Sequence, residues 1–216
     1  MNRLGVIPAA GKASRWGGVW KELLPCSRNE TFIDRVIRSL MIGGECERVL
    51  VVTNYEKMFT HIMRLKHYHN ITFAKQEGER DAWSAIMTSF PYSEDLNLYA
   101  MPDTFYPVNA FNRDYKSDFT MGYFRTRNAR RFGIICEDDN PYIVDKPNMK
   151  GEQFAWGLVI WSKRVVEFWQ DNVLDIETHT QAFNMAIDKF GLDMFEIPYY
   201  SDMATFDDYK EFISGL

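Results

Sequence analysis

The feature that most constrains this chain is an alternation in its first half. Short apolar runs at 4–8, 48–53, 71–75 and 96–101 read as buried strands, as in Val49-Leu50-Val51-Val52. Between them lie stretches with helical spacing. Thr31 opens one in which Phe32, Ile33, Val36, Ile37, Leu40 and Met41 recur on one face before Gly43-Gly44. Residues 55–67 form another, with Met58, Phe59, Ile62, Met63 and Leu65 as the expected core face, and 79–90 a third. Strands that alternate with helices pair in parallel through crossover helices, which predicts an α/β layered fold. Ligands in such folds sit at the carboxyl ends of the strands. Two places of that kind are visible: the turn after Pro8, and Asp103 after 96–101.

The second half reads differently. Strands are expected at 118–126, 132–137, 141–146, 154–161 and 192–198, with Asp138-Asp139-Asn140 as a hairpin turn. Ser162 is placed to cap a following helix, and further helices are expected at 179–190 and 205–213. No Pro/Gly/Ser-rich linker, repeat or low-complexity segment divides the 216 residues, so one domain is expected. The net charge of −5 argues against a polyanionic partner such as nucleic acid. The apolar runs fall far short of the ~20 residues that span a bilayer, and the N-terminus lacks the apolar core of a signal peptide. A cytoplasmic protein without a membrane partner is the expectation. The three cysteines, Cys26, Cys46 and Cys136, form no zinc or disulfide pattern. His67 and His69 lack a third ligand, and His61 and His179 are expected at the surface. Glu137-Asp138-Asp139 reads as a solvated turn.

Small residues directly after a strand expose backbone N–H groups in one direction, a nest that suits phosphate. The segment Ile7-Pro8-Ala9-Ala10-Gly11-Lys12-Ala13-Ser14-Arg15 is such a turn, with Lys21 behind it in Trp20-Lys21-Glu22-Leu23-Leu24-Pro25. It is neither a P-loop nor a dinucleotide fingerprint. These two stretches resemble the opening of the sugar nucleotidylyltransferases, Leu-Ala-Ala-Gly-x-Gly-Thr-Arg followed by Pro-Lys-x-Leu-Leu-Pro. Three later segments resemble the same family in the same order. Met101-Pro102-Asp103 stands where the family has Gly-Asp. Tyr142-Ile143-Val144-Asp145-Lys146-Pro147, followed by Ala155-Trp156-Gly157, matches its Glu-Lys-Pro and small-residue stretch. Ser201-Asp202-Met203-Ala204-Thr205-Phe206-Asp207-Asp208-Tyr209 matches its closing x-Asp-x-Gly-Thr-Pro-Glu-Asp-Tyr. Ala13, Ser14, Trp20, Asp81 and Ala204 depart from the family residue.

The resemblance implies a three-layer, Rossmann-like, mixed and mostly parallel sheet flanked by helices. It implies a nucleotide-binding half at about 1–105 and an acceptor-binding half at about 106–216. The chain stops just after the fifth segment, so the appended β-helix of many relatives is not expected. By the same resemblance, Ala9, Ala10, Gly11, Lys12, Ala13 and Ser14 cradle a nucleoside triphosphate and Gln76 approaches its base; Asp81 falls where the family has its glycine, and Gly78 can supply the backbone approach in its place. Arg15 and Lys21 hold its phosphates. Lys146 grips the acceptor phosphate, with Asp145 and Gly157 beside the acceptor. Asp103 and Asp202 ligate Mg²⁺. The implied reaction joins a nucleoside triphosphate to a sugar 1-phosphate with release of pyrophosphate. Two alternatives stay open: a non-sugar phosphate acceptor such as phosphocholine, and a nucleotide-sugar binding protein that has lost turnover, which Ala13, Asp81 and Ala204 motivate. A monomer or simple homodimer is expected. Thr205 and Asp208 also spell a helix capping box, and Asp81 can serve as a helix N-terminal acid.

Overall fold

The computed structural model describes residues 1–12, 16–78 and 81–215. In chain order the first half runs β1 (Arg3–Pro8), β2 (Pro25–Ser27), β3 (Glu30–Thr31), α1 (Phe32–Arg38), β4 (Arg48–Thr53), α2 (Tyr55–Leu65), β5 (Ile71–Lys75), α3 (Ala82–Ser89) and β6 (Leu96–Ala100). The second runs β7 (Thr104–Phe105), β8 (Phe119–Thr126), β9 (Gly133–Cys136), β10 (Tyr142–Asp145), β11 (Gln153–Ser162), α4 (Lys163–Asp171), α5 (His179–Phe190), β12 (Asp193–Glu196), β13 (Ser201–Asp202) and α6 (Phe206–Ser214).

Among the described residues nine strands join in one sheet, in the order β10-β9-β11-β6-β1-β4-β5, with β8 on the other edge of β11 and β12 beyond it. The β6-β1-β4-β5 block is parallel. β11 is the hinge of the architecture: it runs antiparallel to β6, β8 and β9 at once. The sheet is therefore mixed, and helices cover both faces.

Period-2 alternation fills the two helical layers. Leu4, Val6, Leu50, Val52, Tyr99, Val159 and Trp161 face the side carrying α3, α4 and α5. Ile7, Val49, Val51, Leu98, Leu158 and Ile160 face the side carrying α1. Helix starts are set by side chains that accept orphan backbone N–H groups. Thr31 and Asp34 form a reciprocal capping box at α1, and Thr205 and Asp208 form the expected one at α6. Asp81 is the N-cap of α3, which begins at Ala82. Ser162 precedes α4, but its side chain makes no cap bond; the hydroxyl donates instead to Asp118 Oδ1 at 2.6 Å.

Two more expectations change. Of the apolar set expected to face the core in α2, Leu65 alone is buried: Met58 is half-buried, Phe59 is 74% exposed, and Ile62 and Met63 are also exposed. The buried face carries Lys57, His61 and Leu65. The reason is Glu22, a carboxylate beneath α2 that draws the two polar side chains inward. His61 is accordingly fully buried rather than at the surface.

Candidate active site

The site forms where β1 and β6 end. β7 and β13 make a two-stranded antiparallel patch that pairs Asp202 with Thr104, and the Met203 N–H donates to the Asp103 carbonyl at 3.1 Å. This short pairing brings two carboxylates 99 positions apart in sequence to one cleft. Lys21, on the 3-10 turn Lys21–Leu23, donates to one oxygen of Asp103 in an ion pair. Arg131 donates to one oxygen of Asp202 at 2.8 Å. The second oxygen of each carboxylate accepts no hydrogen bond among the described residues. Burial and the neighbouring Asp103 charge push the Asp202 carboxyl above its ordinary range, and the Arg131 hydrogen bond offsets them only in part. A second cation would relieve that repulsion.

The cleft has two lobes that meet at this pair. One, about 280 Å³, is lined by Ala9, Gly11, Trp16, Lys21, Lys57 and Asp103, among others. The other, about 300 Å³, is lined by Lys21, Asp103, Arg131, Asp145, Lys146, Trp156, His179 and Asp202, among others. Lys21, Met101, Asp103 and Ala204 border both.

On the first lobe the loop after β1 is pinned from below. The Ala9 N–H donates to the Val52 carbonyl at 2.7 Å, and Asn54 Nδ2 donates to the Ala10 carbonyl at 2.7 Å. The Ala9 N–H is thus spent in the sheet and is no phosphate donor; Ala9 contributes a wall. Gly11 and Lys12 are exposed, and no atom lies within 4 Å of where a Gly11 Cβ would stand, so backbone approach is open there. Ala13, Ser14 and Arg15 lie outside the described residues. Trp16 Nε1 donates to the Met203 and Ala204 carbonyls at 3.2 and 3.1 Å, tying the end of that loop to the Asp202 segment. Gln76 donates from Nε2 to the Asp81 carbonyl at 3.0 Å, and Gly78 has a positive φ of 80°, a conformation that favours glycine.

The second lobe holds the Asp145–Lys146 segment. Lys146 has a φ of 48°, in a region that costs an L-residue about 1–2 kcal/mol, and its N–H donates to the Phe132 carbonyl at 2.9 Å. Such strain in a non-glycine residue persists where surrounding structure enforces it. Its ammonium lies 3.5 Å from Asp145. Gly157 sits at a bulge in β11, and a Cβ there would meet Tyr200 Cε2 at 2.6 Å. Its smallness admits the Tyr200 ring, which stacks on Phe124 with centroids 4.1 Å apart. Gly157 therefore shapes the cleft wall through Tyr200. His179, expected at the surface, lines this lobe beside Trp156, with ring centroids 5.9 Å apart. Burial lowers its pKa, so the ring is held neutral.

Sequence reasoning missed Arg131, Trp16, His179 and a buried trio under the first lobe. Glu22, 3% exposed, accepts from Lys57 Nζ at 2.7 Å and pairs with His61 Nε2 at 3.2 Å; His61 Nδ1 bonds the Thr53 hydroxyl at 2.8 Å. Burial alone would raise the Glu22 pKa, but the His61 hydrogen bond and the Lys57 charge more than offset it, and the net shift is downward. Arg131 carried one signal, the Arg130-Arg131 pair before an apolar strand; Lys57 carried none.

Divalent-cation chemistry fits this donor set. Two carboxylate oxygens that accept no hydrogen bond among the described residues, at one cleft and with electrostatic repulsion between their owners, suit a hard cation that keeps several waters. Among the described residues no cluster of three or more Asp, Glu, His or Cys would make an all-protein cage.

Comparison with known proteins agrees with the geometry. Residues 5–98 match the family described as MobA-like NTP transferase domain. No curated protein matches the chain. Among solved structures, a Bacillus anthracis protein described as a glucose-1-phosphate thymidylyltransferase, in complex with sucrose, superposes with a TM-score of 0.85 at 17% identity, covering 98% of this chain and 94% of that one. The inositol-1-phosphate CTP transferase from T. maritima gives 0.78 at 15% identity, over 99% and 95%. HddC from Yersinia pseudotuberculosis gives 0.75 at 18% identity, over 100% and 99%. These likenesses establish the fold, and the sequence match covers the half that carries Lys21 and the loop after β1. Fold, motif order and the match over residues 5–98 point the same way: the chain has the nucleotidyltransferase fold, and residues 5–98 are similar to the MobA-like NTP transferase domain.

Proposed function

We propose that the enzyme transfers a nucleotidyl group from a nucleoside triphosphate to a sugar 1-phosphate or a related cyclic polyol phosphate. The observation that carries this reading is the two-lobed cleft whose lobes share Lys21 and Asp103. A phosphate oxygen of the acceptor attacks the α-phosphorus in line, a new P–O bond forms, the bond to the β-phosphate oxygen breaks, and pyrophosphate leaves. The acceptor is already ionised at neutral pH, so no general base or covalent enzyme intermediate is needed. Catalysis is then alignment and charge neutralisation.

Lys21, and Arg15 by its place in the motif, neutralise the departing pyrophosphate. By their place in the motif, Ala10 through Ser14 give the triphosphate backbone approach, and Gln76 and Gly78 border the base. Lys146 holds the acceptor phosphate, and Asp145 accepts from acceptor hydroxyls. The neutral His179 can donate to one hydroxyl and accept from another, while Trp156 offers an apolar face to a ring. Mg²⁺ held by Asp103 and Asp202 would supply charge neutralisation at the α-phosphate. Residues 1–105 then serve the nucleotide and 106–216 the acceptor.

Known relatives in structure act, by their descriptions, on glucose 1-phosphate and inositol 1-phosphate, which supports a cyclic acceptor. A second reading rests on a specific feature: Phe132, Trp156 and Tyr200 line the acceptor lobe beside Asp145, and aromatic faces with a carboxylate also suit a quaternary ammonium such as phosphocholine. Pyrophosphate release, measured with Mg²⁺ across the common nucleoside triphosphates and a panel of sugar 1-phosphates, inositol 1-phosphate and phosphocholine, tests both. Release with one cyclic acceptor supports the first reading. Release with phosphocholine alone supports the second, and silence from folded protein contradicts both.

A further inference from the structure

Arg131 has no place in the motifs, yet its guanidinium makes three hydrogen bonds to carboxylates at the site. It lies on the 3-10 turn Ala129–Arg131 between β8 and β9. Its guanidinium forks across two carboxylates: Nη1 donates to Asp208 Oδ1 at 2.7 Å, and Nη2 donates to Asp208 Oδ2 at 3.0 Å and to Asp202 Oδ2 at 2.8 Å. Nε is buried with no hydrogen-bond partner among the described residues, and the group lies 5.5 Å from the Phe132 ring centroid.

The two carboxylates are not equivalent. Asp208 is already fixed, because it closes the α6 capping box: the Thr205 N–H and hydroxyl each donate to Asp208 Oδ2 at 2.7 Å. Asp202 has no such anchor. It sits on a two-residue strand beside Asp103, and its side chain has Arg131 as its one hydrogen-bond partner among the described residues. Arg131 thus takes its position from Asp208 and passes it to Asp202. The same turn is tied to the loop after Lys146, where Arg130 Nε and Nη2 donate to Asn148 Oδ1 at 3.0 and 2.6 Å.

We propose that Arg131 is a positioning residue that holds Asp202 beside Asp103 with one oxygen free, so that the two carboxylates together take a divalent cation. The inference rests on the nucleotidyl-transfer reading for its purpose, but not for its test. A planar fork is needed, since a lysine ammonium cannot hold two carboxylates in a bidentate arrangement. Partners that orient metal ligands typically contribute about 10- to 100-fold in metal affinity or turnover.

The probe is Mn²⁺ alone, titrated into full-length wild type, Arg131→Met and Arg131→Lys, with bound metal read from loss of the free-ion EPR signal. Folding is checked by circular dichroism and thermal melting. Wild type is expected to bind Mn²⁺, Arg131→Met to bind it about 10- to 100-fold more weakly, and Arg131→Lys to fall between them. With an active substrate pair, kcat should fall in step with metal affinity while the KM for the nucleotide stays near wild type. A merely structural Arg131 would instead lower the melting temperature and leave Mn²⁺ affinity unchanged in the folded fraction. Wild-type Mn²⁺ affinity in folded Arg131→Met overturns the proposal. If Arg131→Met fails to fold, unchanged affinity in Arg131→Lys overturns it. A wild type that binds no Mn²⁺ also overturns it, whereas a wild type that binds Mn²⁺ but turns over no substrate pair refutes only the functional reading.

Discussion

Replacing Lys57 by Met removes one partner of a buried ion pair and leaves the other in place. Glu22 and Lys57 are 3% and 2% exposed, and the carboxylate sits 2.7 Å from the ammonium. Breaking such a pair costs about 3–5 kcal/mol, because the remaining charge stays desolvated. For a chain of this size each kcal/mol shifts the melting temperature by about 2–4 °C, so Lys57→Met should melt about 6–20 °C lower. The double variant Glu22→Met, Lys57→Met removes both charges and should recover much of the loss, as apolar replacements of buried pairs often do. The same network sets an acid limb. The folded pKa of Glu22 is depressed, so its contribution is present above the unfolded value of 4.5 and is lost as pH falls through the lower folded value. That limb should be absent from the double variant. Thermal melts from pH 3 to pH 8 on the three proteins read all of this. A Lys57→Met protein that melts with wild type, or a double variant no more stable than the single one, would refute the claim that the pair's charge holds α2 and the Lys21 turn together.

Other outcomes follow from packing and exposure. Cys26 and Cys46 are buried with thiol pKa values pushed up to about 12 by burial, so a thiol reagent at pH 7.5 should modify Cys136 first and the other two only on unfolding. Stoichiometric fast modification of all three would contradict the structure. Gly157→Ala puts a methyl 2.6 Å from a Tyr200 ring that stacks on Phe124; overpacking of this kind costs about 1–3 kcal/mol, and the displaced ring should raise the acceptor KM more than the nucleotide KM. Steady-state kinetics with each substrate varied in turn would show this.

The parts of the fold legible in the sequence were those with a strong local signal. The short apolar runs at 48–53 and 71–75 match β4 and β5, and the longer stretch 179–190, ended by Gly191, matches α5. The capping box of Thr205 with Asp208 was legible for the same local reason, whereas Asp81, expected as an acid in the first turn of a helix over 79–90, is the N-cap of a helix that begins at Ala82. Helix α2 was misread because its period was read without its partner. Tyr55, Phe59, Ile62 and Met63 do share a face, but Glu22 lies under the opposite one and makes the polar face the buried one. The burial of His61 and the half-burial of His179 were not legible, because a histidine's burial depends on neighbours distant in sequence. At the site, Lys21, Asp103, Asp145, Lys146 and Asp202 meet at one cleft. Arg131 stayed hidden because its value comes from a fork spanning Asp202 and Asp208, 71 and 77 positions away. Ala9 shows the converse: its place in the motif suggested a phosphate donor, and the sheet had already taken its N–H.

Asp103 borders both lobes of the cleft, where the proposed nucleotide and acceptor would meet. Turnover of Asp103→Asn, with the substrate pair found active in wild type, tests that most directly. The substitution keeps size and hydrogen bonding but removes the charge that pairs with Lys21 and faces Asp202. Pyrophosphate release should fall by about a hundredfold or more, while the protein melts near wild type and still binds the nucleotide. Near-normal release from this variant would contradict the central claim.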